Sequence, residues 1–494
     1  MKGAGNKMHA EKTWTARWIV DERFLHLEPR NLLHKESETF AGEPHRSDLR
    51  NVHMLVRKTF RLDDQVRSAH IDITADDYYK LYVNGHFVGQ GPAQSYHFHY
   101  YYNRYDLTPW LKVGKNVIAV HVHYQGLRNR AMNSADYRQG LIAELFCDGR
   151  LVAATDETWK YRRALEYGTG EAATVGYETQ FVENIDSRLK EANWRQPDYD
   201  DDGWSPACVR AETDHVLVLQ PTPPLQVYRM APAKVEPLPD GRYLIDFGQE
   251  ITGQFTMKAK GAPGQQIEIR CGEELWEDGS GVRFEMRCNC VYREMWTLSG
   301  GEDELEWYDY KGFRYVEIVG ATGAVRQESI AAIVRHYPFP EEACRFRSDD
   351  PLLQGIWDMC RNAVKYGAQE HFVDCPTREK GQYLGDNTIT ASAHALLTGD
   401  LRLYRKALSD FARSTRICPG MMAVAPGHYM QEIADYSLQW PAQLLHYYRH
   451  SGDRGFLREM APHALGIVEY FRRFTREDGL LGKGSDKWNL VDWP

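Results

Sequence analysis

The chain has 494 residues, 43% hydrophobic and 26% charged, a balance that excludes disorder, collagen and coiled coil as global descriptions. At roughly 150 residues per domain this length predicts about three compact units. A net charge of -9 leaves no positive surplus to hold a phosphate backbone, so no nucleic-acid partner is expected.

No run approaches the roughly 18 to 20 apolar residues that a membrane helix needs, so no membrane partner is expected. The opening MKGAGNKMHAEKTW lacks the apolar core of a signal peptide. The nine cysteines, spread from Cys147 to Cys418, form no compact framework and fit thiols kept reduced. A cytoplasmic protein is expected. The 13 tryptophans, 29 tyrosines and 18 phenylalanines supply flat rings that suit either a core or a sugar face.

Up to about residue 340, apolar residues recur with period two between closely spaced turn signals, which predicts β structure. Alternation through LVRKTFRLDDQVRSAHIDI (55–73) breaks at Asp63-Asp64, and in KLYVNGHFVG the Asn84-Gly85 pair predicts a type I′ hairpin. Val117–His123 alternates again. A jelly-roll-like β-sandwich over 11–165 follows from this pattern. Residues 166–224 turn aromatic and acidic, with Trp194, Trp204 and the cluster Asp198, Asp200, Asp201 and Asp202, and are expected to be a connector stiffened at Pro221, Pro223 and Pro224. A second β-sandwich is expected over 225–340, its strands interrupted at Gly261 and Pro263-Gly264.

From Asp350 the period becomes 3.6. Asp350 is placed to cap a helix that starts at Pro351, with Leu353, Ile356, Trp357, Cys360 and Val364 on one face. Further helices are expected at about 386–398, 400–415, 432–451 and 454–474. The links Thr398-Gly399-Asp400 and Ser451-Gly452-Asp453 repeat one solution, glycine ending a helix and aspartate capping the next. Stacked antiparallel helix pairs over 345–494 would make about half of a closed toroid. The expectation is a polypeptide that continues past Pro494, and association or aggregation of these residues alone, because half a toroid leaves apolar faces uncovered.

The loop HFVDCPTREKGQYLGD (371–386) gathers Asp374, Glu379 and Asp386 around Arg378. Acetal hydrolysis needs a protonated acid against the leaving oxygen and a carboxylate to direct water, and clustered acids beside one arginine supply the required difference in proton affinity. Helix caps plus an Arg378 ion pair explain the same residues without chemistry. His97-Phe-His99 and His121-Val-His123 would bring four metal ligands together if their strands were neighbours, but partly exposed strand histidines are ordinary. Cys288-Asn-Cys290 with Cys271 lacks the spacing of a zinc site. No metal and no cofactor is expected, and no phosphate loop, GxSxG elbow or HExxH motif occurs.

DCPTREKGQYLGD (374–386) resembles the signature of the bacterial α-L-rhamnosidases of glycoside hydrolase family 78, inverting enzymes with an (α/α)6 catalytic barrel preceded by β-sandwich domains. DYYKLYVNGHFVGQGP, YDLTPWLKVGKNVIAVHV and NIDSRLKEANWRQPDYDDDGWSPA are similar to its N-terminal portion, YLIDFGQEITGQ and GAPGQQIEIRCGEELWEDG to its second β domain, and IADYSLQWP and WNLVDWP to its barrel. The resemblance implies a multidomain α and β protein, two β-sandwich domains and a partial (α/α)6 barrel. Its implied activity is removal of terminal non-reducing α-L-rhamnose, so rhamnose-containing oligosaccharides or glycosides are the expected partners, with a second copy of the chain a further candidate. Glu379 matches the general acid. Asp374, Arg378, Tyr383 and Asp386 match residues around the sugar, Tyr383 standing where many relatives have tryptophan. Asp435, Trp440, Asp492 and Trp493 match the pocket lining, although packing between helices is the ordinary role of a tryptophan. The family's general base, a glutamate on a later barrel helix, would lie beyond Pro494. The alternative is a catalytically incomplete carbohydrate-binding fragment.

Overall fold

The computed structural model describes residues 12–31, 33, 34, 45–321, 325–427, 430–482, 484, 485 and 487. In the first β unit a seven-stranded sheet, which includes Ala69–Asp76, Tyr100–Asp106 and Gly140–Cys147, lies against a six-stranded sheet, which includes Val52–Leu62, Tyr78–Val83 and Gly114–Tyr124. Ile71, Ile73 and Leu141 of one sheet share a core with Val56, Leu81 and Val120 of the other. Such inward side chains are what period two supplies. Asn84 and Gly85 have φ of 51° and 86°, the positive values that a type I′ turn demands. Gly114–Tyr124 departs from simple alternation, being buried on both faces beyond its first two residues. Its outer face is covered by Tyr167 and by Tyr308 of the second β unit, whose rings lie 5.2 and 4.6 Å from the ring of His121.

Residues 166–224 are stitched into both flanking units. Ser205–Pro206 and Cys208–Val209 pair with strands of the two first-unit sheets, Leu217–Leu219 runs parallel to Tyr100–Asp106, and Ile185–Asp186 runs parallel to Arg293–Thr297 of the second unit.

The second β unit is hydrogen-bonded as one nine-stranded sheet, where two separate sheets were expected. The reason is Tyr243–Lys260, a single 18-residue strand that shifts register between Asp246 and Ile251, with Gly248 at φ 80° in the bend. Its first half pairs with Lys234–Pro237 and its second with Ile330–His336, so the ladder stays continuous through the bulge.

Among the described residues five helices follow: α1 Pro351–Tyr366, α2 Leu384–Thr398, α3 Arg402–Ser414, α4 Ala434–Ser451 and α5 Arg454–Arg472. Asp350 caps α1, its side chain accepting from Leu352 N at 2.9 Å, with Pro351 in the first turn. Gly399 and Gly452 end α2 and α4 in the left-handed conformation, and Asp453 caps α5. Asp400 differs from the expected cap. It accepts from Arg402 N at 2.9 Å, but Leu401 occupies the N-cap position of α3. Leu403, Leu408 and Phe411 of α3, Trp440 and Leu444 of α4, and Phe456 and Ile467 of α5 form the helical core. The apolar face of α1 is largely open: Leu353 and Ile356 are 47% and 45% exposed and Cys360 is exposed, while Trp357 and Val364 are half-buried. Only Tyr366 at the end of α1 is buried, because α1 meets its neighbours there. Among the described residues no helix is long and apolar enough to cross a membrane.

Candidate active site

The loop between α1 and α2 closes on itself through backbone bonds. Asp374 N–H donates to Gly381 O at 3.0 Å, Lys380 N–H to Cys375 O at 3.2 Å, and Gly381 N–H to Asp374 Oδ1 at 3.0 Å. Lys380 has φ 55°, a left-handed value that a side chain rarely adopts. Tertiary contact compensates. Its buried ammonium donates to Gln180 Oε1 and to Tyr310 O, bonds that reach the 174–181 hairpin and the second β unit.

Within this frame Glu379 is partly exposed, its side chain at 20%, and Arg378 Nε lies 3.6 Å from Glu379 Oε1. The Tyr383 hydroxyl accepts from Arg130 Nη1 at 3.5 Å, and burial together with the nearby Glu379 carboxylate raises its proton affinity. Burial pushes the Asp374 carboxyl up to about 7, and the nearby charges of Glu379 and Asp386 add to the rise against a lowering hydrogen bond from Cys375. A half-buried acid near neutrality thus sits beside an arginine-paired, solvent-reachable carboxylate. That combination can hold sugar hydroxyls and move a proton.

Asp386 is half-buried in the first turn of α2, and Asp435 occupies the first turn of α4. The two helix starts abut so closely that a Cβ on Gly385 would come 2.5 Å from the Tyr436 ring. Trp440 departs from its expected place in the pocket. It is fully buried among α3, α4 and α5, and its Nε1 donates to Leu408 O at 3.3 Å, so its ring fills the helical core. Asp492 and Trp493 lie outside the described residues.

Arg130 and the hairpin tip Gly176-Tyr177 also border the loop. Tyr177 N–H donates to Arg378 O at 2.9 Å. Strand patterning marks Thr174–Val175 and Gln180–Phe181 around a glycine turn, but nothing local says where that turn docks.

The two histidine pairs do not converge. His121 and His123 belong to the six-stranded sheet, whereas His97 and His99 sit in the turn before Tyr100–Asp106 of the other sheet. His121 Nε2 donates to His53 Nδ1 at 3.0 Å, and His53 and His123 each donate to Asn51 Oδ1. Burial holds all three imidazoles neutral. Elsewhere His34, Cys418 and Glu432 bring ligand-type atoms within 4.8 Å of one another, a grouping that their spacing along the chain gave no sign of.

Comparison with known proteins bears on this geometry. Residues 64–229 match the family model of the α-L-rhamnosidase N-terminal domain, 236–336 that of the bacterial α-L-rhamnosidase concanavalin-like domain, and 341–494 that of the bacterial α-L-rhamnosidase 6-hairpin glycosidase domain. The chain belongs to the bacterial α-L-rhamnosidase family. It is 24% identical to an α-L-rhamnosidase of Formosa agariphila over 487 residues, 88% of this chain and 49% of that protein. One from Streptomyces avermitilis is 25% identical over 464 residues, 88% of this chain and 44% of that protein. The chain therefore spans about half the length of these relatives. Its fold matches a family 78 rhamnosidase of Bacillus sp. GL1 with a TM-score of 0.84, at 18% identity over 98% of this chain and 71% of that one. It matches the S. avermitilis α-L-rhamnosidase complexed with L-rhamnose with a TM-score of 0.69, at 23% identity over 86% and 42% of the two chains.

Proposed function

We propose that this chain belongs to an enzyme that releases terminal α-L-rhamnose from rhamnosides with inversion, Glu379 giving its proton to the glycosidic oxygen. The observation that carries the reading is the grouping of Glu379 with Arg378, Tyr383 and the half-buried Asp374 in one self-closed loop. The relatives from F. agariphila and S. avermitilis bear the name α-L-rhamnosidase, and the S. avermitilis structure holds L-rhamnose. In this reading Asp374, Arg378, Asp386 and Asp435 hold sugar hydroxyls. Residues 11–165 are a sandwich domain and 225–340 a second β domain, joined by 166–224, and 345–494 is part of an (α/α)6 barrel.

Inversion requires a second carboxylate about 6.5 to 9.5 Å from the acid, on the other side of the sugar, to take a proton from the attacking water. The reading assigns that base to none of the described residues. The C1–O bond breaks as Glu379 protonates the leaving oxygen, and water completes the product with opposite anomeric configuration.

The test is Glu379→Gln in the rhamnoside-cleaving protein, assayed on an alkyl rhamnoside whose leaving group needs protonation. Loss of at least about a hundredfold in kcat is expected for a general acid. Wild-type turnover in the variant would overturn the assignment, and NMR of the first-formed anomer would decide inversion. L-rhamnose bound by these 494 residues without release of sugar would favour a binding fragment.

A further inference from the structure

The hairpin Thr174–Val175 and Gln180–Phe181 is wedged between the Glu379 loop and the 282–291 loop of the second β unit. Gly176 N–H donates to Asn289 O at 3.0 Å, Asn289 Nδ2 to Thr174 O at 3.2 Å, and Tyr177 N–H to Arg378 O at 2.9 Å. Gly176 has φ 62°, and a Cβ there would come 2.1 Å from Arg378 O, so only glycine lets the tip seat this closely. The next side chain, Tyr177, is 53% exposed, yet its hydroxyl donates to Cys288 Sγ at 3.2 Å. Its backbone is therefore held by the loop and its far end by the second β unit. Rings held at both ends yet left open to solvent are ready to stack at low entropic cost.

A general acid must stand beside the oxygen that leaves, so the group attached to that oxygen lies on the acid's side of the sugar. Tyr177 is bonded to the residue preceding Glu379, and its hydroxyl feels the charges of Glu379 and Arg378.

We propose that Tyr177 forms the platform of the leaving-group subsite and receives a flat apolar face, either an aromatic aglycone or the C–H face of a second sugar. This rests on the rhamnoside reading of the Glu379 loop. In this picture the β hairpin, remote in sequence from the loop, sets aglycone preference, while Asp374 and its neighbours set preference for rhamnose.

Titration calorimetry of the chain with L-rhamnose, an aryl α-L-rhamnoside and an α-L-rhamnosyl-glucoside tests it without requiring turnover. The wild type should bind the extended ligands more tightly than L-rhamnose. Tyr177→Ala should weaken the extended ligands about five- to tenfold and leave L-rhamnose within about twofold, whereas Tyr177→Phe should keep the preference. A loss confined to the aryl ligand marks aromatic aglycones as the occupant, and an equal loss for the rhamnosyl-glucoside marks the sugar face. Three results overturn the subsite alone: a wild type that binds L-rhamnose but does not prefer extended ligands, a preference that survives Tyr177→Ala, or equal weakening of all three ligands. A wild type that binds none of them sinks the rhamnoside reading itself, and the subsite falls with it.

Discussion

Lys380 sends its ammonium into the second β unit, where it lies 3.9 Å from the centre of the Tyr310 ring and donates to Tyr310 O at 2.5 Å. The residue after the proposed acid is thus an anchor, and its left-handed backbone is held in place by what its side chain grips. Burial lowers this ammonium from 10.5 to about 7, chiefly by stripping water from its charge. Between those pH values the unfolded chain keeps a proton that the native chain has lost, so this group makes stability rise as pH climbs through that window.

Lys380→Met should remove that rise and leave the buried Gln180 and Tyr310 oxygens without their donor, a cost of about 1–3 kcal/mol per stranded acceptor. Urea unfolding of both proteins at pH 7 and pH 10 measures it. The stability gap should widen at pH 10, and L-rhamnose affinity should fall as the loop loosens.

Asp374 has the opposite sign. Its carboxyl rises from 3.8 to about 7, so between those values the unfolded chain has already released a proton that the native chain retains. Stability is lost as pH rises through this window, up to about 4 kcal/mol at 1.36 kcal/mol per unit. Asp374→Asn should therefore be more stable than wild type at pH 7 to 8, with the gap closing towards pH 4, while binding L-rhamnose at least about tenfold more weakly. Melting temperatures across pH, paired with calorimetry, check both halves.

Gly176→Ala places a methyl where the Arg378 carbonyl stands and forces a positive φ on a side chain. Strain of about 1–3 kcal/mol is expected, relieved by the tip lifting off the loop. Faster amide exchange at Tyr177, whose N–H would lose its acceptor, is the direct readout. Unchanged exchange would mean that the seat tolerates the methyl.

Trp440→Phe separates core packing from ligand contact. The variant loses the bond to Leu408 O and part of a filled volume, which should cost about 1–3 kcal/mol in urea unfolding. Affinity for L-rhamnose should stay within about twofold.

What was legible in the amino-acid order was everything set by neighbours along the chain. Periods of two and 3.6 marked the β and helical regions, Asn84-Gly85 marked its hairpin, and Asp350-Pro351, Gly399 and Gly452 marked helix ends, because each depends on the φ values and hydrogen bonds of a few adjacent residues. The candidate loop was readable for the same reason, since Asp374, Arg378, Glu379 and Asp386 fall within one short segment. Tertiary structure alone decided that Arg130, Tyr177 and Gln180 meet that loop, that Trp440 is core and that the apolar face of α1 is open. Burial and distant contact depend on how sheets and helices dock, and docking sums many weak interactions between segments hundreds of residues apart, which no local pattern encodes.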